Sequence, residues 1–284
     1  MIFPFAINWD INPVMLDLGF IEIRYYGLCW AVALGLGLWI FSKIFKREEI
    51  SDKVLDSIFW YAIVATVLGA RLGHCYFYEP TYYLSHPFEV LKIWKGGLAS
   101  HGAAFGLLIG LYLFSRKNRV PYIWTLDRIG IAIAIGGAMI RLGNLFNSEI
   151  YGGPTSLPWG FIFVNGNENQ TDPCHPTQLY EALAYMLIFG ILSLMYFKLD
   201  MARKKQGVMF GWFLIMLFGA RFIIEFIKNP QVEFEKSMFL DMGQWLSLPF
   251  IVGGVWILYK ARKNKLPNIF TWVNPVRPKD KSKK

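Results

Sequence analysis

Charge is scarce in this chain: Asp, Glu, Lys and Arg make up 17% of its 284 residues, where a soluble domain carries about a quarter. Cysteine is scarcer still. Cys29, Cys75 and Cys174 are the only three, an odd number that excludes a fully paired disulfide framework. Cys29 and Cys75 fall in apolar stretches, where a free thiol behaves as a small hydrophobe. No histidine or cysteine spacing suits zinc, and neither a phosphate-cradling glycine loop nor a dinucleotide fingerprint occurs. No metal and no cofactor are therefore expected. Internal repeats are missing as well. The two Gly-Ala-Arg triplets that end at Arg71 and Arg221 are a faint echo, of the kind small residues at helix contacts produce.

What the chain has in excess is apolar surface, with 55% hydrophobic and 17% aromatic residues and a mean hydropathy of +0.36. A helix needs about 20 mostly apolar residues to span a bilayer. Seven stretches qualify: Tyr25–Phe45, Ser57–Tyr78, Gly97–Ser115, Leu126–Phe146, Ala182–Phe197, Val208–Ile227 and Gln244–Tyr259, the third and fifth being the weakest. Most of the 29 Lys and Arg fall on alternate loops. Lys43, Lys46, Arg47 and Lys53 follow the first stretch, Arg116, Lys117, Arg119 and Arg128 the third, Lys198 and Arg203–Lys205 the fifth. A run of basic residues from Lys260 to Lys284 follows the seventh. Positive loops face the cytoplasm, so the N-terminus is expected outside and the C-terminus inside.

The fold class implied is all-α, a polytopic membrane bundle of about seven helices. One catalytic domain is expected over 1–260, with an extracytoplasmic loop or arm at 147–181 and a basic cytoplasmic tail at 261–284. The net charge of +9 is then a topology signal rather than a nucleic-acid footprint, and the tail is suited to anionic lipid. Residues 1–20 lack a basic start and contain Asp10 and Asp17, so no cleavable signal peptide is expected. Met1–Arg24 is expected to lie at the outer interface with Trp9, Tyr25 and Tyr26 as anchors.

A charged side chain at bilayer depth costs about 2.5–3.5 kcal/mol, which makes each one a functional candidate. Arg71, Arg141, Arg221 and Glu225, with His74 and His101, lie in the apolar stretches. All but His101 sit toward the outer end of their stretch, and the inner end shows no polar counterpart. Arg221 and Glu225 are one helical turn apart, as are Arg141 and Asn144; a helix continuing past Phe146 would carry Asn147 and Ser148 on the same face. Clustered guanidinium groups suit the phosphate of a lipid head. His101 lies between Gly96-Gly97-Leu98-Ala99-Ser100 and Gly102-Ala103-Ala104. These small neighbours leave room for a substrate chain and make His101 a candidate proton carrier. His74 reads as structural. In the loop that ends His175-Pro176-Thr177-Gln178-Leu179-Tyr180-Glu181, Thr177 is a candidate N-cap for the fifth helix.

The stretch Arg141-Leu-Gly-Asn144-Leu-Phe-Asn147-Ser-Glu149-Ile-Tyr-Gly152 closely resembles the signature of bacterial prolipoprotein diacylglyceryl transferases. Further blocks resemble the family in the same order: Tyr25-Tyr26-Gly27, Gly69-Ala-Arg71, Gly96 to Gly102, His175 to Glu181, Arg221-Phe-Ile-Ile-Glu225 and Gly243-Gln-Trp. Departures occur at Ile140, Leu145 and Ala103, and in Lys228-Asn-Pro230-Gln231, where the family pattern is Arg, Pro and Asp. The resemblance implies transfer of the diacylglyceryl group of phosphatidylglycerol to the lipobox cysteine of a prolipoprotein signal peptide, at the outer side of the bacterial cytoplasmic (inner) membrane. It implies His101, Arg221 and Glu225 as catalytic residues, and Arg141, Asn144, Glu149, Tyr26, Gly102 and Gly152 as the phosphatidylglycerol site. Arg71, His175, Gln178, Tyr180 and Glu181 are implied as support. Partners are the two substrates and membrane lipid, and no nucleic acid. A competing reading, an anion or lipid transporter using the same arginines, calls for repeats and access from both faces.

Overall fold

The computed structural model describes residues 6–93, 97, 99–166, 171–229 and 239–266. Gly96 and Leu98 of the glycine block, Pro230 and Gln231, and the tail beyond 266 lie outside them. Helices dominate: α1 (Tyr25–Arg47), α2 (Asp52–Gly73), α3 (Pro80–Ser85), α4 (Ser100–Asn118), α5 (Tyr122–Phe146), α6 (Thr177–Phe197), α7 (Met201–Lys204), α8 (Val208–Glu225) and α9 (Met242–Arg262). Four short strands among the described residues were not anticipated. β1 (Ile7–Trp9) pairs in parallel with β4 (Phe161–Phe163), and β2 (Val14–Asp17) pairs antiparallel with β3 (Glu22–Arg24).

Among the described residues, six helices are long and apolar enough to cross a membrane: α1, α2 with its π-helical extension to Tyr78, α5, α6, α8 and α9. The expected fifth span is fuller than its apolar core suggested, because α6 begins at Thr177 and carries Gln178 and Glu181 buried in its first turns. The expected third span corresponds to α4. At 19 residues it has the length, but three glycines and the Arg116-Lys117-Asn118 end dilute its apolar character.

The described chain forms two compact units, one of residues up to Ile40 with Asp127–Leu266, the other of Phe41–Leu126. The boundaries fall inside α1 and α5. In the second unit α2 and α4 approach backbone to backbone. A Cβ at Gly102 would collide with the carbonyl of Gly69, and one at Gly106 with the carbonyl of Ala65. Helices in lipid associate through this kind of small-residue contact, so Gly102 and Gly106 serve α2 rather than leaving space beside His101. Gly219, in the other triplet, has nothing within 4 Å; only the Gly69 triplet is a helix contact.

In the first unit α8 packs on α9, with Phe218 stacked on Phe250 at 4.2 Å between centroids, and α6 packs on α8. The segment after α5 is irregular but has a small core, Leu145, Phe161, Phe163 and Cys174. Trp9 belongs to that core. It packs on Phe146 and Phe161 and donates its indole N–H to the Leu145 carbonyl at 2.9 Å. Trp9 is therefore an internal strut rather than the interfacial anchor expected of it.

Candidate active site

Four helix ends of the first unit meet in one polar cluster. Late in α5, Arg141 donates to Asn144 Oδ1 at 3.1 Å, and Asn144 donates to Glu149 Oε1 at 2.7 Å. Asn147 reaches the same oxygen at 3.3 Å. The helix does not continue through Asn147 and Ser148 as the shared-face reading required. It ends at Phe146, and Ser148 (φ 52°) and Ile150 (φ 61°) adopt left-handed backbone. Non-glycine residues held there carry strain of about 1–3 kcal/mol, a feature common at functional sites. The turn aims the Glu149 carbonyl at Gln178 Nε2, 2.7 Å away, and the Ile150 carbonyl at the Thr177 hydroxyl, 2.9 Å away. Thr177 is thus the first helical residue, tied to this turn. It is not the N-cap expected, a position occupied by Pro176.

From α6, Glu181 forms an ion pair with Arg141 Nε, and Tyr185 lies near enough to act electrostatically on the same guanidinium. Lys228, three residues after α8, stands between two carboxylates, 3.6 Å from Glu181 Oε1 and 3.5 Å from Glu225 Oε2. Glu225 therefore takes Lys228 as its ion partner rather than Arg221 one turn before it. Arg221 is near enough to act electrostatically on both Tyr185 and Lys228. Start of α9 closes the cluster: Gln244 donates to the Phe222 carbonyl at 3.3 Å, and a side chain at Gly243 would strike the Glu225 carboxylate. Burial pushes the Lys228 ammonium below the usual lysine pKa; the carboxylates of Glu181 and Glu225 oppose this, while Arg141 and Arg221 reinforce it.

The cluster is buried but not self-satisfied. Among the described residues, Asn147 Oδ1, Ser148 Oγ and Gln178 Oε1 have no hydrogen-bond partner, and the two Glu181 oxygens are met by the cations of Arg141 and Lys228. A buried polar atom left unpaired costs about 1–3 kcal/mol, so the site is suited to a ligand that brings hydroxyl donors together with negative charge.

The remaining candidates sort by place. Tyr26, at the start of α1, lies against Gly143, where a Cβ would meet its ring at 2.8 Å. Gly143 thus admits a ring rather than a second backbone. Gly152 is packed against His175, Thr177 and the Ile227 carbonyl, with no room for a side chain. His175 and Tyr180 form a partly exposed group with Trp159, whose indole donates to the Tyr180 hydroxyl at 2.9 Å, while His175 Nδ1 lies 3.4 Å from the same hydroxyl. Arg71 and His101 belong to the second unit. Arg71 is buried and donates to the carbonyls of Val90 (2.9 Å), Glu89 (2.7 Å) and Gly97 (3.3 Å), clamping the loop after α3. His101 is half-buried in the first turn of α4. Lys228, Tyr185 and Gln244 were missed as cluster members. Lys228 lies in a loop, and its signals were its spacing of three residues from Glu225 and its place at the start of the block where the family pattern has Arg.

The opposite ends of these helices, expected to be apolar, also carry buried charge. Asp127 is buried in α5 and accepts from the backbone N–H groups of Gly207 (2.7 Å) and Phe210 (2.9 Å), capping α8. Beside it Arg128 lies over the Tyr196 ring at 5.8 Å. Both Asp127 oxygens are used by backbone amides, which is the arrangement of a structural cap.

Six apolar helices of membrane length, four of whose ends carry a buried polar cluster, define a multi-pass membrane protein. Residues 13–260 match the family described as prolipoprotein diacylglyceryl transferase. The phosphatidylglycerol–prolipoprotein diacylglyceryl transferase of Chloroherpeton thalassium is 45% identical over 258 residues, covering 90% of this chain and 95% of that protein. Its namesake in Porphyromonas gingivalis is 45% identical over 278 residues, 94% and 98% of the two chains, and that of Tolumonas auensis 42% identical over 258 residues, 90% and 98%. The chain belongs to the prolipoprotein diacylglyceryl transferase family, and it is a transferase.

Proposed function

We propose that this protein transfers the sn-1,2-diacylglyceryl group of phosphatidylglycerol to the lipobox cysteine of prolipoproteins, the first step of bacterial lipoprotein maturation. The sulfur, as thiolate, attacks the glycerol carbon that bears phosphate. The carbon–oxygen bond to phosphate breaks, a thioether forms, and glycerol 1-phosphate leaves with the electron pair. The observation that carries this reading is the buried cluster around Arg141, whose cations suit a phosphate and whose unpartnered acceptors suit the hydroxyls of a glycerol head.

In this reading Arg141 grips the phosphate with its planar fork, and Asn144, Glu149, Gln178 and Glu181 shape the space for the head hydroxyls. Tyr26 and Gly152 form its walls. Arg221 stabilises the charge that develops on the leaving phosphate, with Glu225 and Lys228 holding the surrounding charge in place. His101 assists removal of the thiol proton, and Gly102 sets the close contact of its helix with α2. His175 and Tyr180 lie at the rim, and Arg71 is a loop clamp.

The proposal extends to topology. At about 1.5 Å per residue, the 19 residues of α4 span about 28 Å, close to the roughly 30 Å hydrocarbon core. With α4 as a seventh span, the N-terminus is outside and the site faces the extracytoplasmic side of the cytoplasmic membrane. Transport is the weaker alternative, since the polar groups at the inner end are consumed in capping α8. Purified protein in vesicles of phosphatidylglycerol, given a lipobox peptide, should add a diacylglyceryl group to the cysteine. Lipid movement across the vesicle wall without peptide modification would favour the transporter.

A further inference from the structure

Residues 14–24 fold into the β2–β3 hairpin, whose Leu16 faces Ile23 and whose Asp17 faces Glu22. Its turn is closed by the Leu18 N–H donating to Ile21 at 3.1 Å and the Gly19 N–H donating to Asp17 Oδ1 at 2.8 Å, with Gly19 at φ 80°. The tip is apolar and bare: Phe20 is 88% exposed, Ile21 54%, Leu16 47% and Leu18 46%. Charge is confined to the strands, where Arg24 pairs with Glu22 at 2.8 Å. Such a tip in water would be a self-association hazard.

We infer that this hairpin is an interfacial anchor whose tip enters the lipid surface beside α1. Continuity of the chain carries the assignment. Tyr25 is the first residue of the membrane-length helix α1 and donates its N–H to the Pro13 carbonyl at 3.1 Å, which ties the hairpin root to the helix start. At about 3.3 Å per strand residue, the tip cannot lie more than about 20 Å from that helix end. Depth is limited by the backbone. A two-stranded hairpin leaves its outer-edge N–H and C=O groups unpaired, and these cannot enter hydrocarbon. The tip therefore stops at the boundary of headgroups and acyl chains, the depth at which amphipathic anchors lie. The inference does not depend on the proposed reaction.

The test is a depth measurement. Phe20→Cys is made in a chain with Cys29, Cys75 and Cys174 replaced by Ala, labelled with an environment-sensitive fluorophore and placed in phosphatidylcholine–phosphatidylglycerol vesicles. Leu18→Cys is the second reporter should the first not reconstitute, and Lys265→Cys is the exposed reference. The expected result is blue-shifted emission at the tip, quenching by a nitroxide near the top of the acyl chain, and less quenching by iodide on both sides than at Lys265→Cys. Iodide quenching equal to the reference, with no lipid quenching, overturns the inference by placing the tip in water. Shielding from both quenchers, with crosslinks between tips of two copies, overturns it in favour of self-association.

Discussion

Lys228→Met removes the ammonium that stands between Glu181, at 3.6 Å, and Glu225, at 3.5 Å. Breaking a buried ion pair from one side costs about 3–5 kcal/mol, because the partner charge is left uncompensated. The depressed pKa of Lys228 means that burial and the nearby arginines offset the pairing with the two glutamates, so the loss should fall below that range, under about 3 kcal/mol. Glu181 keeps its pairing with Arg141, and methionine avoids the cost of burying an ammonium. Equilibrium unfolding in mixed micelles measures the loss, with Lys228→Arg as the charge-preserving control expected within about 1 kcal/mol of the parent. The pH dependence adds a signed check. Lys228 has a folded-state pKa below its ordinary 10.5, so between the two values the unfolded chain binds more protons than the folded one, and stability rises with pH. Below the folded value the ammonium is charged in both states and the full destabilising cost of burying it is present; above 10.5 it is neutral in both. The difference between parent and Lys228→Met should therefore change with pH within that window and be flat outside it. A methionine variant as stable as the parent, with the same pH profile, would refute the claim that the lysine neutralises this pair.

Three further outcomes are expected. Arg141→Lys keeps the charge but loses the fork that reaches Asn144 and Glu181 together, so its lipidation rate should fall nearly as far as that of Arg141→Ala; full activity in the folded lysine variant would count against bidentate recognition. His101→Gln should remain folded and slow by about 10²–10⁴-fold, with partial recovery as pH approaches the thiol pKa of about 8.5. Arg221→Ala should not recover, and equal recovery of both would contradict the assigned roles. A topology reporter fused after Lys263 should read cytoplasmic and one at Asn165 extracytoplasmic, and a shared compartment would refute the seven-span arrangement.

Helix content and membrane class were legible because apolar run length is a one-dimensional property. The helix ends were less so. Gln178 and Glu181 looked too polar for a span, yet both are buried in α6: Glu181 faces the cations of Arg141 and Lys228, and Gln178 donates to the Glu149 carbonyl. Arg141, Asn144 and Glu149 were readable as a group since they share one short segment and touch in sequence order. Lys228 was not readable that way. Its partners lie on α6 and α8, and one lysine in a loop looks the same whether solvated or enclosed. The hairpin was hidden for a related reason: residues 14–24 alternate too irregularly to announce strands, and the pairing carries a register shift between Val14 and Leu16. Small residues at Gly69, Gly102 and Gly106 were visible, but whether they leave space for substrate or for a helix is decided only by what packs there.

The central claim is group transfer from phosphatidylglycerol, and a double-label experiment tests it most directly. Phosphatidylglycerol carrying one isotope in its backbone glycerol and another in its head glycerol is reconstituted with the protein and a lipobox peptide. The account predicts that the backbone label appears on the peptide in a thioether stable to mild base-catalysed ester cleavage, while the head label appears in equal amount as free glycerol 1-phosphate. Head label on the peptide, or release of glycerol phosphate without peptide modification, would contradict it.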